Sequence, residues 1–334
     1  MFYFMMASGL IFAYINGMHD GGTVVATTIS SRLVSPFRAV LIAGIANFLG
    51  AIVLGTAVAY TISENIIDIT PLLMGKPKTC YAFVLGSFVG SMVWNVLTWI
   101  IKLPSSASHS MIGAMIGCGI SACGIVYIQW ESIFLKVILA MLLSPLAGFT
   151  FGWLFFKLQC HLLQNATIIW GGRIRFLHKL GSFFLAFTYG SNDAQKVMGL
   201  IAIGLAARCS SEIIIPLWLI LACSAALAFG TITGGYNMIK TVGMDITKID
   251  VQNSFSSQLA TIFVVTTANL TGLPISATQV VTSTVMGVGT GNTPKNVNWS
   301  ITKRIFIAWL ITIPASALIG SLLYLCIYQV QLLL

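Results

Sequence analysis

Apolar stretches long enough to cross a lipid bilayer follow one another from the first residues of this 334-residue chain to the last. A hydrocarbon core about 30 Å thick is crossed by roughly 20 apolar residues in a helix. Candidate spans cover residues 1–31, 38–60, 79–101, 105–128, 132–156, 180–206, 213–235, 252–271, 274–291 and 303–329. Polar or Gly/Pro-rich breaks interrupt 1–31, 105–128 and 180–206, and 274–291 is short. Backbone groups in lipid have no water to bond, so a helix is the form such stretches take. Only 7% of the residues are charged, against about a quarter in a soluble domain, which leaves no room for a soluble domain. The expected fold class is therefore an all-α polytopic membrane protein.

The net charge of +9 does not point to nucleic acid. A nucleic-acid binder gathers its Lys and Arg on one wetted face, whereas here they are scattered through short connections. The densest group, Lys157, Arg173, Arg175 and Lys179, has no acid among it and reads as a cytoplasmic linker by the positive-inside rule. The first fifteen residues carry no Lys or Arg, so they read as the first half of a membrane helix rather than a signal peptide. Seven cysteines without a CxxC pair argue against a metal or disulfide framework.

An internal repeat organises the whole chain. Ala13-Tyr14-Ile15-Asn16-Gly17-Met18-His19-Asp20 aligns with Ala186-Phe187-Thr188-Tyr189-Gly190-Ser191-Asn192-Asp193 at an offset of 173 residues. Leu103-Pro104-Ser105-Ser106-Ala107-Ser108-His109 aligns with Leu273-Pro274-Ile275-Ser276-Ala277-Thr278-Gln279 at an offset of 170. Two matches in one order at nearly one offset divide the chain into a first repeat (1–156), a basic linker (157–179) and a second repeat (180–334). Paired, interrupted apolar segments in two halves are the mark of secondary transporters built as inverted repeats. The expectation is two inverted repeats with broken or re-entrant helices meeting at the bilayer midplane.

Most of the eight acidic residues fall near span ends, but Asp20 and Asp193 lie inside spans, at matched repeat positions. An intramembrane carboxylate is costly and functional by default; the structural alternative is a pair with Arg32 or Lys196. The two Pro/hydroxyl elements put Ser105, Ser106, Ser108, Ser276 and Thr278 at helix starts. Such starts offer free N–H groups, hydroxyl donors and the positive dipole end to an oxyanion. An oxyanion beside two carboxylates requires a cation between them, which describes a symporter. Asn16, Thr23 and Asn192 supply neutral oxygens for that ion, and Asn192 is also expected among the substrate-binding residues with the hydroxyls of the two elements. His19 and His109 suit a proton relay, and Lys196 suits either anion attraction or pairing with Asp193.

These motifs resemble the inorganic phosphate transporter family, in its bacterial form. The likeness rests on Asn16-Gly17-Met18-His19-Asp20 with Ser31 to Pro36, on Gly190 to Lys196 with Met198-Gly199, and on the two hydroxyl elements. Gly234-Gly235, Ile239 to Gly243 and Ile246-Thr247-Lys248 extend it over essentially the whole chain. The resemblance implies a multi-pass plasma-membrane importer of inorganic phosphate driven by Na⁺ or H⁺. It also implies a homodimer in lipid, with no cofactor beyond the coupling ion, bound as a metal by Asp20 and Asp193 if it is Na⁺. Gln195, in the second motif, and Gln258 join the cation-coupling set. The chain departs from the pattern at Thr23, where Asn is usual, at Gln258, where Glu is common, and at Gln279, where His is usual. A sulfate permease of the same family, a passive anion channel, and an intramembrane hydrolase using Ser and His of 105–109 are the competing readings.

Overall fold

A computed structural model describes residues 1–101, 105–166, 168–209, 212–234, 246–247 and 250–333; among these, helices joined by short turns make up the chain, and the one β-type pairing is an isolated bridge between Ile67 and Ile128. Leu103-Pro104 and most of the 234–248 motif stretch lie outside the described residues. The first repeat contains α1 (Phe2–Ser30), α2 (Pro36–Val53), the short α3 (Ala57–Glu64) and α4 (Thr70–Met74), α5 (Pro77–Ile100), α6 (Ala107–Cys123) and α7 (Trp130–Leu162). The second contains α8 (Ile168–Cys209), α9 (Leu217–Thr233), α10 (Val251–Thr271), α11 (Ala277–Asn292) and α12 (Trp299–Leu333). Pro36 and Pro77 open α2 and α5 from first-turn positions, where the missing N–H costs nothing.

The burial pattern inverts that of a soluble protein. Phe37, Leu41, Ile45 and Leu49 of α2, and Phe306, Leu310, Leu318 and Leu322 of α12, face outward, while Asn16, Asp20, Asn47, Asn95, Asp193 and Lys196 are buried. An apolar exterior of this extent demands an apolar solvent. Four helices, Pro36–Val53, Pro77–Ile100, Trp130–Leu162 and Trp299–Val330, are long and apolar enough to cross a bilayer. α1 and α8 are longer still in part but carry the polar residues, and they occupy the interior.

The expected breaks within 1–31 and 180–206 are absent: α1 and α8 run through Asn16–Asp20 and Tyr189–Asp193 without interruption. A helix satisfies its backbone whatever side chains it carries, so the polar residues are accommodated by burial rather than by unwinding. The breaks fall instead at two hairpin tips, between α5 and α6 and between α10 and α11. Gly272, at φ 68°, ends α10 in the left-handed conformation that favours glycine. α6 and α11 have 17 and 16 residues, about 25 Å each and at the lower limit for crossing a membrane, and their first turns abut one another inside the molecule at His109 and Gln279, which makes them the re-entrant arms. The linker expected at 157–179 is mostly helix as well, because α7 continues to Leu162 and α8 begins at Ile168.

The repeat is legible in the packing. α1 lies against α9 as α8 lies against α2, and α6 lies against α12 as α11 lies against α7. Equivalent glycines make the close approaches. A Cβ at Gly50 would meet the Phe187 carbonyl at 1.8 Å, and one at Gly230 would meet the Tyr14 carbonyl at 2.0 Å; Tyr14 and Phe187 are themselves repeat partners. The halves are inverted. Thr28 near the end of α1 meets Ser182 near the start of α8, while Gly9 near the start of α1 meets Ile201 near the end of α8, so the two equivalent helices run in opposite directions.

Candidate transport site

The two hairpin tips meet at the centre of the molecule. Ser106 caps α6 by accepting from the His109 amide at 3.2 Å, and Ser276 caps α11 by accepting from the Gln279 amide at 3.3 Å. His109 Nδ1 and Gln279 Nε2 lie 3.4 Å apart. Because these residues are repeat partners, their contact falls on the pseudo-twofold axis. Ser105, Ser106, Ser108, Ser276 and Thr278 are all buried. Ser105 turns toward α5, with its Oγ 2.7 Å from Thr98 Oγ1.

α1 and α8 bring the charges to this centre. Lys196 Nζ donates to Asp193 Oδ1 at 2.8 Å, to Ser108 Oγ at 2.5 Å and to the Ile275 carbonyl at 2.8 Å. Pairing is thus the use of Lys196 that the structure displays, and the same ammonium ties α8 to both hairpins. His19 Nδ1 lies 2.7 Å from Asp20 Oδ1; Arg32, the other partner considered for Asp20, is exposed beyond the end of α1. Tyr189, which the repeat alignment contains without a chemical role, has its hydroxyl 3.0 Å from Thr278 Oγ1 and facing Asp20. Asp20, Asp193 and Lys196 are thus all buried around this centre, and a buried charge without a partner is costly.

Several oxygens here have no hydrogen-bond partner among the described residues: Asn16 Oδ1, Thr23 Oγ1, Asn192 Oδ1 and Asp193 Oδ2. Asn16, Asp20 and Thr23 share one face of α1 by their spacing. Carboxylate and carbonyl oxygens with no nitrogen or sulfur suit a hard cation. Asn192 is oriented by Asn269, whose Oδ1 accepts from Asn192 Nδ2 at 2.6 Å and whose own amide donates to the Thr188 carbonyl. No repeat or motif signal marks Asn269.

Two residues of the expected cation set sit elsewhere. Gln195 donates to Ser191 Oγ at 2.8 Å and accepts from the Val58 amide at 2.9 Å in the first turn of α3, so its side chain joins elements. Gln258 donates to Ser182 at 2.9 Å and Thr28 at 3.2 Å. Thr28 is eight residues along α1 from Asp20, about 12 Å. The hydrolase reading finds no support in the geometry: Ser106 accepts from the His109 backbone amide, Ser105 is bonded to Thr98 and Ser108 accepts from the Lys196 ammonium, so none of these contacts activates a serine through an imidazole.

Inverted repeats around paired hairpin tips and acidic interior helices define a multi-pass membrane transporter. The profile described as the phosphate transporter family matches residues 16–174 and again 161–320. A Bacillus subtilis protein named "Probable low-affinity inorganic phosphate transporter" is 35% identical over 94% of this chain and 93% of its own length. One of the same name from Rhizobium meliloti is 33% identical over 96% of this chain and 94% of its own. Among solved structures, "The sodium-dependent phosphate transporter" superposes with a TM-score of 0.89 at 23% identity, covering 100% of this chain and 99% of that one. The chain belongs to the phosphate transporter family. It is a multi-pass transport protein of the plasma membrane, not an enzyme.

Proposed function

We propose that this chain imports inorganic phosphate by symport with a cation, Na⁺ foremost and H⁺ as the alternative. The observation that carries the reading is the pair of buried carboxylates at the centre, where Asp193 is held by Lys196 and Asp20 has only the His19 imidazole as an ionic partner, beside two helix N-termini. The N-termini of α6 and α11 favour an oxyanion, and the carboxylates would repel it unless a cation came with it. Asn16, Thr23 and Asn192 contribute neutral oxygens to that cation. His19, against Asp20, is the residue through which H⁺ coupling would run.

Phosphate is favoured over sulfate because near neutral pH it still carries a P–OH proton. That proton donates to a carboxylate or to a histidine nitrogen, giving a charge-assisted bond that sulfate cannot make. Uptake of labelled phosphate into proteoliposomes, with Na⁺ and proton gradients imposed separately and sulfate as competitor, tests the whole reading. Accumulation is expected under an inward Na⁺ gradient and to be insensitive to equimolar sulfate. Equal competition by sulfate between pH 6 and 8 would make the chain a general oxyanion carrier, and uptake without any gradient dependence would make it a passive pathway.

A further inference from the structure

The pseudo-twofold relates the two ends of the molecule, yet their chemistry differs. At the end where α1 finishes and α8 begins, Thr28 and Ser182 hydroxyls lie 2.7 Å apart, Gln258 donates to both, and His178 lies 2.6 Å from Ser254. The repeat offsets carry Thr28 to Ile201, Ser182 to Gly9, Gln258 to Phe88, His178 to Met5 and Ser254 to Val84. Those five residues also meet: Met5, Val84, Phe88 and Ile201 belong to one hydrophobic cluster, and a Cβ at Gly9 would touch Ile201 at 2.6 Å and Phe88 at 3.0 Å. One architecture is therefore filled with hydroxyls and amides at one end and with hydrocarbon at the other.

Outside each cluster is a cavity between equivalent helices. The polar end has one of about 270 Å³ lined by Thr28, Ser35, Arg38, Lys179 and Ser182 among others, with no carboxylate in its described lining. The other end has one lined by Phe2, Met6, Arg208, Glu212 and Trp218 among others. The α1/α8 offset pairs Lys179 with Met6, and the offset set by Gly50 and Gly230 pairs Arg38 with Trp218. Since the fold accepts Met and Trp at these places, it does not need Lys and Arg there.

Polar side chains continue along α1 from the central site toward this end. Thr23 and Thr27 follow Asp20 on one face of α1, both buried and with hydroxyls that lack partners among the described residues, and the next residue, Thr28, lines the cavity. On α8 the matching line turns apolar after Lys196, at Leu200 and Ile201. Behind the cavity floor, Gln258 Oε1 and His178 Nδ1 are also buried without partners.

We infer that the Arg38/Lys179 cavity is a second oxyanion subsite, holding phosphate between the central site and the basic face of the protein, with no counterpart at the opposite end. This rests on the phosphate-transport reading above. Clefts lined by charge of one sign raise the local counter-ion concentration and on-rate by roughly ten- to a thousandfold, and the exposure of Arg38 and Lys179 places this site at the lower end. The shared chemistry is a phosphate group, which a free ion or an anionic lipid headgroup supplies; the polar residues Thr23, Thr27 and Thr28, which continue from Asp20 to this end of α1, favour the free ion.

The test is labelled-phosphate flux through the Arg38→Gln, Lys179→Gln double variant in membrane vesicles of each orientation. Half-saturating phosphate is expected to rise about three- to tenfold when the ion is offered at the basic face and to stay unchanged at the other. The charge-preserving Arg38→Lys, Lys179→Arg variant should behave as wild type. No change at either face, or an equal rise at both, would overturn the subsite. Repeating the measurement in pure phosphatidylcholine vesicles should preserve the effect; an effect that appears only when phosphatidylglycerol is added would assign the cavity to a headgroup and also overturn it. Absence of wild-type phosphate flux is a separate outcome, and would remove the transport reading instead.

Discussion

Lys196 shows what one buried side chain holds together. It carries positive charge at 2% exposure and bonds to Asp193, to Ser108 on α6 and to the Ile275 carbonyl at the other hairpin tip. Lys196→Met should lower the thermal midpoint of the detergent-solubilised protein strongly, since removing one partner of a buried pair costs about 3–5 kcal/mol. Adding Asp193→Asn to that variant removes the stranded charge, so stability should largely return while uptake stays lost. Tryptophan fluorescence on heating checks the first, and proteoliposome uptake the second; uptake recovering along with stability would make the pair purely structural. Asp20→Asn is a cleaner probe, because Asp20 has only His19 as its described ionic partner. It should express and insert normally, with membrane insertion eased by the lost charge, and gradient-driven uptake should fall to a small fraction of wild type. Uptake at the wild-type rate would refute a coupling role for this carboxylate.

At the scale of elements, the helix caps were legible in the sequence and the continuity of the two interior helices was not. The capping roles of Ser106 and Ser276 were legible because an N-cap is a local event, decided by a hydroxyl and the next turn. The continuity of α1 and α8 was not, because polarity and glycine at Asn16-Gly17 and Tyr189-Gly190 look the same in a broken helix as in an intact helix packed tightly inside a bundle. What separates the cases is a neighbour: a Cβ at Gly17 would meet the Leu227 carbonyl at 2.1 Å, so this glycine serves close helix contact. Gln195 and Gln258 illustrate the same limit, since motif position put them near the cation while tertiary contacts direct their amides to Val58 and to Thr28. Ser106→Ala and Ser276→Ala should each cost about 1 kcal/mol through the lost cap. If the hairpin tips hold the oxyanion, each should also raise half-saturating phosphate at both membrane faces, unlike the Arg38/Lys179 variant. A thermal shift with unaltered saturation would separate the caps from the binding site.

At the scale of the whole molecule, the repeat was readable because a duplicated motif survives in sequence, whereas the difference between the ends appears only once the halves are superposed. That difference bears on orientation. Lys157, Arg173, Arg175 and Lys179 are exposed around the α7–α8 junction, and the cavity of Arg38 and Lys179 lies at the same end, so this end holds the densest basic group of the linker together with Arg38 of the first repeat, while Arg208 sits at the other end. Positive residues in short connections stay on the cytoplasmic side, which places the polar cluster and its cavity inward and the Met5, Phe88 and Ile201 cluster outward. Asn165, exposed in the turn between α7 and α8, is the reporter. In a cysteine-free background, Asn165→Cys should resist an impermeant maleimide added to intact cells and react readily in inside-out vesicles. Ready modification from outside would invert the assignment: the apolar end would then face the cytoplasm, and imported phosphate would meet the basic cavity before the central site rather than after it.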